Sequence, residues 1–314
     1  MSVFDNPHFD SHERVLFAHD AKTGLRAIIA IHDTRLGPAA GGCRFWNYAS
    51  ETEAVADVLR LSRGMTYKNA VAGLDLGGGK SVIIGDPRRI KTPDLMRAFG
   101  RAVDQLGGAY TTAEDVGVDV ADMEAVREAT PHVAGLGKGE HASGDPSPVT
   151  AKGVFDGLRR AVAIRFARAE LSGLTVAVQG LGHVGRRLCG LLHEAGARLV
   201  VADIDKVRVA EAVETLGARA VPVEDIIDAE ADIFAPCALG AVLNARTIPR
   251  LRASIVAGAA NNQLEELADA QRLLERDILY VPDFAINAGG IINVSREIAG
   301  VNDPGWVEAR MKPL

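Results

Sequence analysis

Cysteine is scarce: three residues, Cys43, Cys189 and Cys237, lie far apart in 314 residues and cannot all pair within one chain. That excludes a disulfide framework and favours a reducing compartment, by default the cytoplasm. The cysteines show no Cys-x-x-Cys spacing, so no metal site is expected. An excess of positive charge is also missing. Lys and Arg number 35 against 41 Asp and Glu, a formal net charge of -6, which leaves no basic surface for nucleic acid. No run of about 18 uncharged apolar residues exists, and the stretch from Met1 to His12 is polar and acidic. Neither a membrane span nor a signal peptide is expected. What is present is 47% hydrophobic and 24% charged, the balance of a globular protein. A chain of this length exceeds one ordinary core, so two domains of roughly 130 to 160 residues, with a ligand cleft between them, are expected.

The first third alternates apolar runs with helical patterns. Leu25 to His32 reads as a β-branched strand, and Ser50-Glu-Thr-Glu53 as a capping box that opens a helix ending near Tyr67 to Asn69. Gly77-Gly78-Gly79-Lys80 reads as a turn feeding the strand Val82 to Ile84, which puts Lys80 where a loop enters a strand. Thr92-Pro93-Asp94 starts a helix toward Leu106, and Tyr110 to Asp115 is a strand with Asp115 at its end. From Ala134 to Ser147 the chain is rich in Gly, Ser, Asp and Pro, as at a domain crossing. Beyond it, helix Thr150 to Ala167, strand Leu174 to Gln179, helix Val184 to Glu194 and strand Arg198 to Ala202 predict βαβ units and a parallel sheet. Short strands follow at Ile233 to Ala235, Ser254 to Gly258 and Ile278 to Val281.

Gly180-Leu181-Gly182-His183-Val184-Gly185 follows a predicted strand and opens a helix. The first glycine permits a tight turn, the second lets a pyrophosphate approach the backbone, and the third lets helix and strand pack closely. Phosphate charge would face the helix N-terminus, with the His183 side chain toward solvent. Asp203, 18 residues after Gly185 and followed by Ile204, ends the next strand, where a carboxylate can accept hydrogen bonds from both ribose hydroxyls and repel a 2′-phosphate. NAD is favoured over NADP, although Arg208 nearby leaves room for a phosphate. A second constellation is Lys68 and Lys80, twelve residues apart across an apolar, glycine-rich stretch. Two amines sharing a cleft repel and desolvate each other, which lowers a lysine pKa and yields a base, while the charged partner can hold a carboxylate.

Several further segments occur in order: Leu36-Gly-Pro-Ala-Ala-Gly41-Gly42-Cys-Arg, the Lys68 to Lys80 block, Thr112-Ala-Glu-Asp115-Val-Gly, Pro146-Ser-Pro-Val-Thr150, Ala235-Pro-Cys-Ala238-Leu-Gly, Gly258-Ala-Ala-Asn261-Asn262 and Asn287-Ala-Gly-Gly290. Together they resemble the glutamate, leucine, phenylalanine and valine dehydrogenase family, most closely the leucine dehydrogenases, over nearly the whole chain. The resemblance implies that Lys80 is the general base that activates water against an iminium carbon and that Asp115 shuttles protons. It implies that Lys68 binds the substrate carboxylate beside Ala40, Gly41, Gly42 and Met65. Thr150 would hold the nicotinamide carboxamide. Ala238, Asn261 and Asn262 would line the nicotinamide ribose and the amine, with Asn287 on the cofactor side. A glutamate-specific relative needs polar partners at the positions of Ala40 and Val294, and here Ala113, Ala134, Ile291 and Val294 would form an apolar wall. Ala40 and Ala134 are small, so an aromatic amino acid, phenylalanine or tryptophan, is the alternative substrate. The other alternative is a catalytically silent NAD-binding relative.

The expected protein is therefore α/β and two-domain, a homo-oligomer that acts on a small molecule. Residues 1–140 would bind substrate and oligomerise, 141–290 form a Rossmann-type NAD-binding domain, and 291–314 make a short C-terminal segment near the hinge. Its reaction would be reversible oxidative deamination of a branched-chain amino acid. Relatives continue well past the equivalent of Gly300 with helices that return to the N-terminal domain, whereas this chain stops at Pro313-Leu314. A helix from Pro304 to Met311, looser domain closure and lower turnover are the corresponding expectations.

Overall fold

The computed structural model describes residues 2–168, 170–303 and 305–312. The chain forms two compact units, one running to Pro146 and resuming at Ile291, the other spanning Ser147–Gly290. The break at Pro146 falls within the Gly-, Ser-, Asp- and Pro-rich stretch from Ala134 to Ser147, six residues beyond the bound of 140 given to the first domain, and the chain from 291 onward groups with the first unit. Hydrogen bonds explain the shift: the amides of Gly135 and Ser143 are both tied to the Glu297 carboxylate of the same unit.

In the first unit, strands β1 (Arg14–Asp20), β2 (Leu25–Asp33) and β3 (Ala39–Trp46) precede helix α1 (Glu51–Val71). They are followed by β4 (Gly77–Ile84), the short α2 (Pro87–Ile90), α3 (Pro93–Asp104), β5 (Tyr110–Glu114) and α4 (Val120–Arg127). The sheet order is β1-β2-β4-β3-β5, with β3 parallel to β4 and β5 and the other pairs antiparallel. Alternation along β2 assigns its faces. Ile28 and Ala30 cluster with Val55, Val58 and Leu59 of α1. Leu25, Ala27, Ile29 and Ile31 cluster with Leu95, Met96 and Phe99 of α3 and with Met123 and Val126 of α4. A sheet covered on both faces explains why its strands read as continuous apolar runs. Ser50 caps α1 by accepting from the Glu53 amide, but the Glu53 carboxylate accepts from Ala49 rather than from Ser50, so the box is only half closed.

The glycine-rich segment before Lys80 is strand, not turn. A Cβ on Gly78 would lie 2.2 Å from the Thr66 backbone nitrogen of α1, and one on Gly41 would lie 1.9 Å from the Gly79 oxygen. The glycines are there because a helix and a neighbouring strand press against β4, and they place Lys80 in mid-strand, paired with Ala30.

The second unit begins with α5 (Ser147–Phe166), β6 (Thr175–Gln179), α6 (His183–Glu194), β7 (Arg198–Ala202), α7 (Lys206–Leu216) and β8 (Arg219–Ala220). It continues through β9 (Ile233–Pro236), β10 (Ile255–Val256), α8 (Ala268–Glu275), β11 (Leu279–Tyr280) and α9 (Asp283–Ile286). All its strand pairs are parallel in the order β11-β10-β9-β6-β7-β8. Val176 and Val178 of β6 pack with Leu158 and Val162 of α5 and Leu188 and Leu192 of α6, whereas Ala177 packs with Ile226, Ile248 and Leu273. The chain winds outward from β6 through β7 and β8, then returns to its other side at β9. This is a doubly wound sheet whose order reverses beside β6.

Helix α10 (Gly289–Ile298) starts at the unit boundary, and α11 (Gly305–Met311) follows. Pro304, the expected start of the last helix, lies outside the described residues. No helix among the described residues is long and apolar enough to cross a membrane.

Candidate active site

In the first unit, Lys80 projects from the middle of β4 and is 4% exposed. Asp115 follows β5, and its carboxylate contacts the Lys80 ammonium. The same carboxylate accepts from the Val116 amide at 2.7 Å and lies 3.8 Å from Arg44 Nε. Arg44, buried on β3, donates through Nη1 to Asp57 at 2.8 Å, and the Tyr48 hydroxyl donates to the same oxygen at 2.7 Å. Burial alone pushes the Asp115 carboxyl upward. The Lys80 and Arg44 charges and the Val116 bond outweigh it and hold the group well below the usual carboxylate range. Asp115 is therefore an anion at neutral pH. The sequence reading paired Lys80 with Lys68; the structure sets a carboxylate directly against Lys80.

Lys68 is buried in the last turn of α1. Its neighbour Asn69 donates to the Gly77 carbonyl at 2.6 Å and so stitches the end of α1 to the start of β4. Gly41 and Gly42 lie in β3, where a Cβ on Gly41 would also crowd Met65 and one on Gly42 would lie 2.9 Å from Asp115 Cβ. Tyr110 fixes the Gly41 carbonyl by donating to it at 2.7 Å. The five residues read as an apolar wall, Ala40, Ala113, Ala134, Ile291 and Val294, are all buried in this unit. Register places Gly42 opposite Ala113, and the Ala134 amide bonds to the Thr112 carbonyl at 2.9 Å.

In the second unit, Gly180 leaves β6 with φ +98°, and a Cβ there would strike Ala238, which follows β9. Gly185 is pressed onto Gly180, its Cβ position 2.0 Å from that carbonyl. Between them Gly182 faces open space and caps α6 with no side chain, leaving the first-turn amides at His183 and Val184 available to an anion. Leu181 donates its amide to Asp203 Oδ2 at 2.5 Å, and Asp205 donates to Oδ1 at 2.8 Å, so the acidic strand end is aimed at the glycine loop. Each oxygen retains a lone pair for a ribose hydroxyl. Arg208 sits 3.3 Å from Asp205. Ile204 and His183 are exposed.

These residues fit a dinucleotide. Thr150 lies in the first turn of α5, and its Cα is 3.2 Å from where a Cβ on Gly289 would stand. Asn287 donates to Asn261 Oδ1 at 2.9 Å and to Ala259 O at 3.0 Å. Asn262, held at φ +52°, gives its amide to Asp283 at 2.5 Å. Its Nδ2, like Asn287 Oδ1, is buried without a hydrogen-bond partner, as expected of atoms that await a ligand. Arg44, Asp57, Tyr48 and Asp283 carry no signal of function in the sequence except that Arg44 follows the glycine pair. Cys43 stands beside Arg44, but burial pushes its thiol up to about 12, which disarms it as a nucleophile.

A parallel sheet that reverses its strand order at a glycine loop, with an acidic end on the next strand, is the architecture of a Rossmann-type pyridine nucleotide dehydrogenase. Residues 12–132 match the Glu/Leu/Phe/Val dehydrogenase dimerisation domain, and residues 201–310 match Glutamate/Leucine/Phenylalanine/Valine dehydrogenase. The chain belongs to this family of amino acid dehydrogenases. It is 52% identical to the leucine dehydrogenase of Bacillus subtilis over 302 residues, covering 96% of this chain and 83% of that protein. It is 48% identical to the L-tryptophan dehydrogenase of Nostoc punctiforme over 304 residues, covering 96% and 85%. The crystal structure of L-tryptophan dehydrogenase from Nostoc punctiforme superposes with a TM-score of 0.73 at 46% identity, over 96% of this chain and 86% of that one.

Proposed function

We propose that this chain catalyses the reversible, NAD-dependent oxidative deamination of a branched-chain L-amino acid to its 2-oxo acid and ammonia, as a cytoplasmic homo-oligomer. The observation that carries the reading is the buried Lys80–Asp115 pair behind the Gly41–Gly42 strand, beside residues with apolar side chains. Lys68 binds the substrate carboxylate, and the Gly41 and Gly42 backbone lets the amino acid lie close to β3. Asp115, an anion at neutral pH, accepts a proton from the substrate ammonium, and the freed nitrogen lone pair forms the C=N bond of the iminium as hydride leaves the α-carbon. Lys80, an ammonium while Asp115 is ionised, releases its proton to solvent once Asp115 has been protonated, and its neutral amine then takes a proton from water as that water adds to the iminium carbon. The resulting carbinolamine collapses as Asp115 returns its proton to the nitrogen, the C–N bond breaks and the carbonyl forms, the hydroxyl proton passing to the freed Asp115 carboxylate and on to the departing ammonia.

A bound nicotinamide supplies the hydride acceptor. The amides that open α6 hold its pyrophosphate, Asp203 the adenosine ribose, Thr150 the carboxamide, and Ala238, Asn261, Asn262 and Asn287 the nicotinamide end. NAD rather than NADP is supported by the Asp203 carboxylate at the strand end and by Arg208, which is engaged with Asp205. The relatives named for leucine support an aliphatic substrate. The small Ala40 and Ala134 support a second reading, an aromatic amino acid, which the tryptophan dehydrogenase relative also favours. The test is NADH formation at 340 nm with L-leucine, together with NADH consumption that requires both ammonium and 4-methyl-2-oxopentanoate. Absence of both rates with folded protein leaves the silent-relative alternative.

A further inference from the structure

One carboxylate in the first unit is surrounded by donors that the proposed chemistry does not use. Glu297, near the end of α10, accepts from the Gly135 amide at 2.8 Å and from the Leu136 amide at 3.4 Å. It also accepts from the Ser143 amide at 3.1 Å and the Ser143 hydroxyl at 2.6 Å. The same helix adds two flanking bonds: Asn293 Nδ2 donates to the Ser143 carbonyl at 3.0 Å, and Arg296 donates to the Ala142 carbonyl at 3.1 Å. Residues 134–146 contain no helix or strand, so these bonds do much of the work that a ladder would do elsewhere. Bonds to an ionised acceptor are roughly twice as strong as neutral ones, and here both ends of a nine-residue excursion converge on one acid.

What the excursion carries gives the arrangement a functional meaning. It leaves directly from Ala134, whose amide is fixed to the end of β5 through the Thr112 carbonyl. Helix α10 carries Ile291 and Val294, two turns and one turn before Glu297. One rigid element therefore bears two of the proposed wall residues and grips the segment that begins at the third. We propose that Glu297 is a positioning residue that sets the width of the substrate side-chain pocket by locking the 135–143 segment onto α10. The inference rests on the reading that Ala134, Ile291 and Val294 face the substrate side chain. Without the carboxylate, Gly135 and Ser143 lose their common anchor, the wall relaxes outward, and larger side chains gain relative to leucine.

The test compares wild type with Glu297→Ala, Glu297→Gln and the milder Ser143→Ala. It measures kcat and KM for leucine and phenylalanine, NADH affinity by fluorescence, Tm, and hydrogen exchange of the 135–143 amides. In Glu297→Ala the ratio of kcat/KM for leucine over phenylalanine should fall about tenfold, the scale on which apolar pockets discriminate, and through KM rather than kcat. Exchange in the segment should accelerate while NADH affinity stays unchanged. Glu297→Gln and Ser143→Ala should shift the ratio less and in the same direction, which keeps the test valid if the alanine variant folds poorly. An equal loss on both substrates, or unchanged exchange in the segment, overturns the latch in an enzyme whose wild type oxidises leucine. A folded wild type that binds NADH yet oxidises no apolar amino acid overturns the latch together with the reading beneath it.

Discussion

Arg44 stands between two aspartates: Nη1 bonds to Asp57 at 2.8 Å while Nε lies 3.8 Å from the Asp115 carboxylate. With Lys80 against the same Asp115 oxygen, two cations and two anions form a largely buried group with no net charge. Such a group is stable only while complete, because removing one member leaves a buried charge uncompensated. Arg44→Met should therefore destabilise the fold by about 3 kcal/mol in urea titration, with activity lost beyond what unfolding explains. Arg44→Met combined with Asp57→Asn should recover part of that stability, since the pair leaves together. A double variant no more stable than the single one would show that the charges are not coupled through Arg44.

Lys80→Ala should lower kcat by roughly two to four orders of magnitude, the range of a positioned base, while NADH still binds. Lys68→Ala should act mainly on the KM for the amino acid. Stopped-flow kinetics with leucine separate the two effects, and near-normal turnover in the Lys80 variant would reject its assignment as base.

Stability should fall with acid in a window set by His12. Its Nε2 lies 3.0 Å from the Leu59 carbonyl, which can only accept, and its Nδ1 accepts from the Asp10 amide, so the neutral ring is fully satisfied. Burial, with further effects from the His32 and Arg63 charges, lowers its pKa from 6.5 to about 4. Because the folded pKa lies below the unfolded one, the unfolded chain binds the extra proton first. Stability is thus intact above about pH 6.5 and drains as pH drops toward 4, by at most about 3 kcal/mol. Urea midpoints between pH 7 and 4 should show this slope, and His12→Asn should flatten it.

Asp203→Ala should weaken NADH and narrow the preference against NADPH, because a ribose acceptor and a repulsive charge vanish together. Since Asp203 also accepts the Leu181 amide, the glycine loop itself should loosen, and the pyrophosphate contact with it. Equal wild-type kcat/KM for the two cofactors would sink the assignment.

The glycine turn after β6 was legible because its mechanics are local: Gly180, Gly182, Gly185 and Asp203 lie within one βαβ unit, where spacing along the chain fixes spacing in space. The β4 strand was misread as a turn for the opposite reason. Gly77, Gly78 and Gly79 look like loop residues in isolation, and only the approach of Thr66 from α1 and of Gly41 from β3 shows that they are strand residues without room for side chains. Strand β1 carried too few core-facing residues to stand out, as its half-exposed edge position explains. Arg44 and Glu297 were invisible as functional residues because their partners come from elements 13 to 162 residues away. Nothing in the surrounding sequence marks a charged side chain as one end of such a bond.

The last prediction concerns the substrate side chain. Ala40, Ala113, Ala134, Ile291 and Val294 offer no donor or charge, and each is under a tenth exposed. A second carboxylate entering among them would lose its hydration without a partner, which costs several kcal/mol and excludes glutamate. Each methylene of an aliphatic side chain buried there contributes about 0.8 kcal/mol, or roughly a factor of four in kcat/KM. Leucine should therefore exceed valine by about that factor, and alanine should be poor. The size of the pocket decides the upper end. Ala40 and Ala134 are the positions where a larger side chain would shorten it, so Ala134→Leu should depress phenylalanine and tryptophan more than valine. Measuring kcat/KM for valine, leucine, phenylalanine, tryptophan and glutamate at one pH tests every step. An aromatic advantage above about tenfold in wild type would replace the branched-chain assignment by the aromatic one, and a preference for glutamate would show that a charged partner reaches this wall after all.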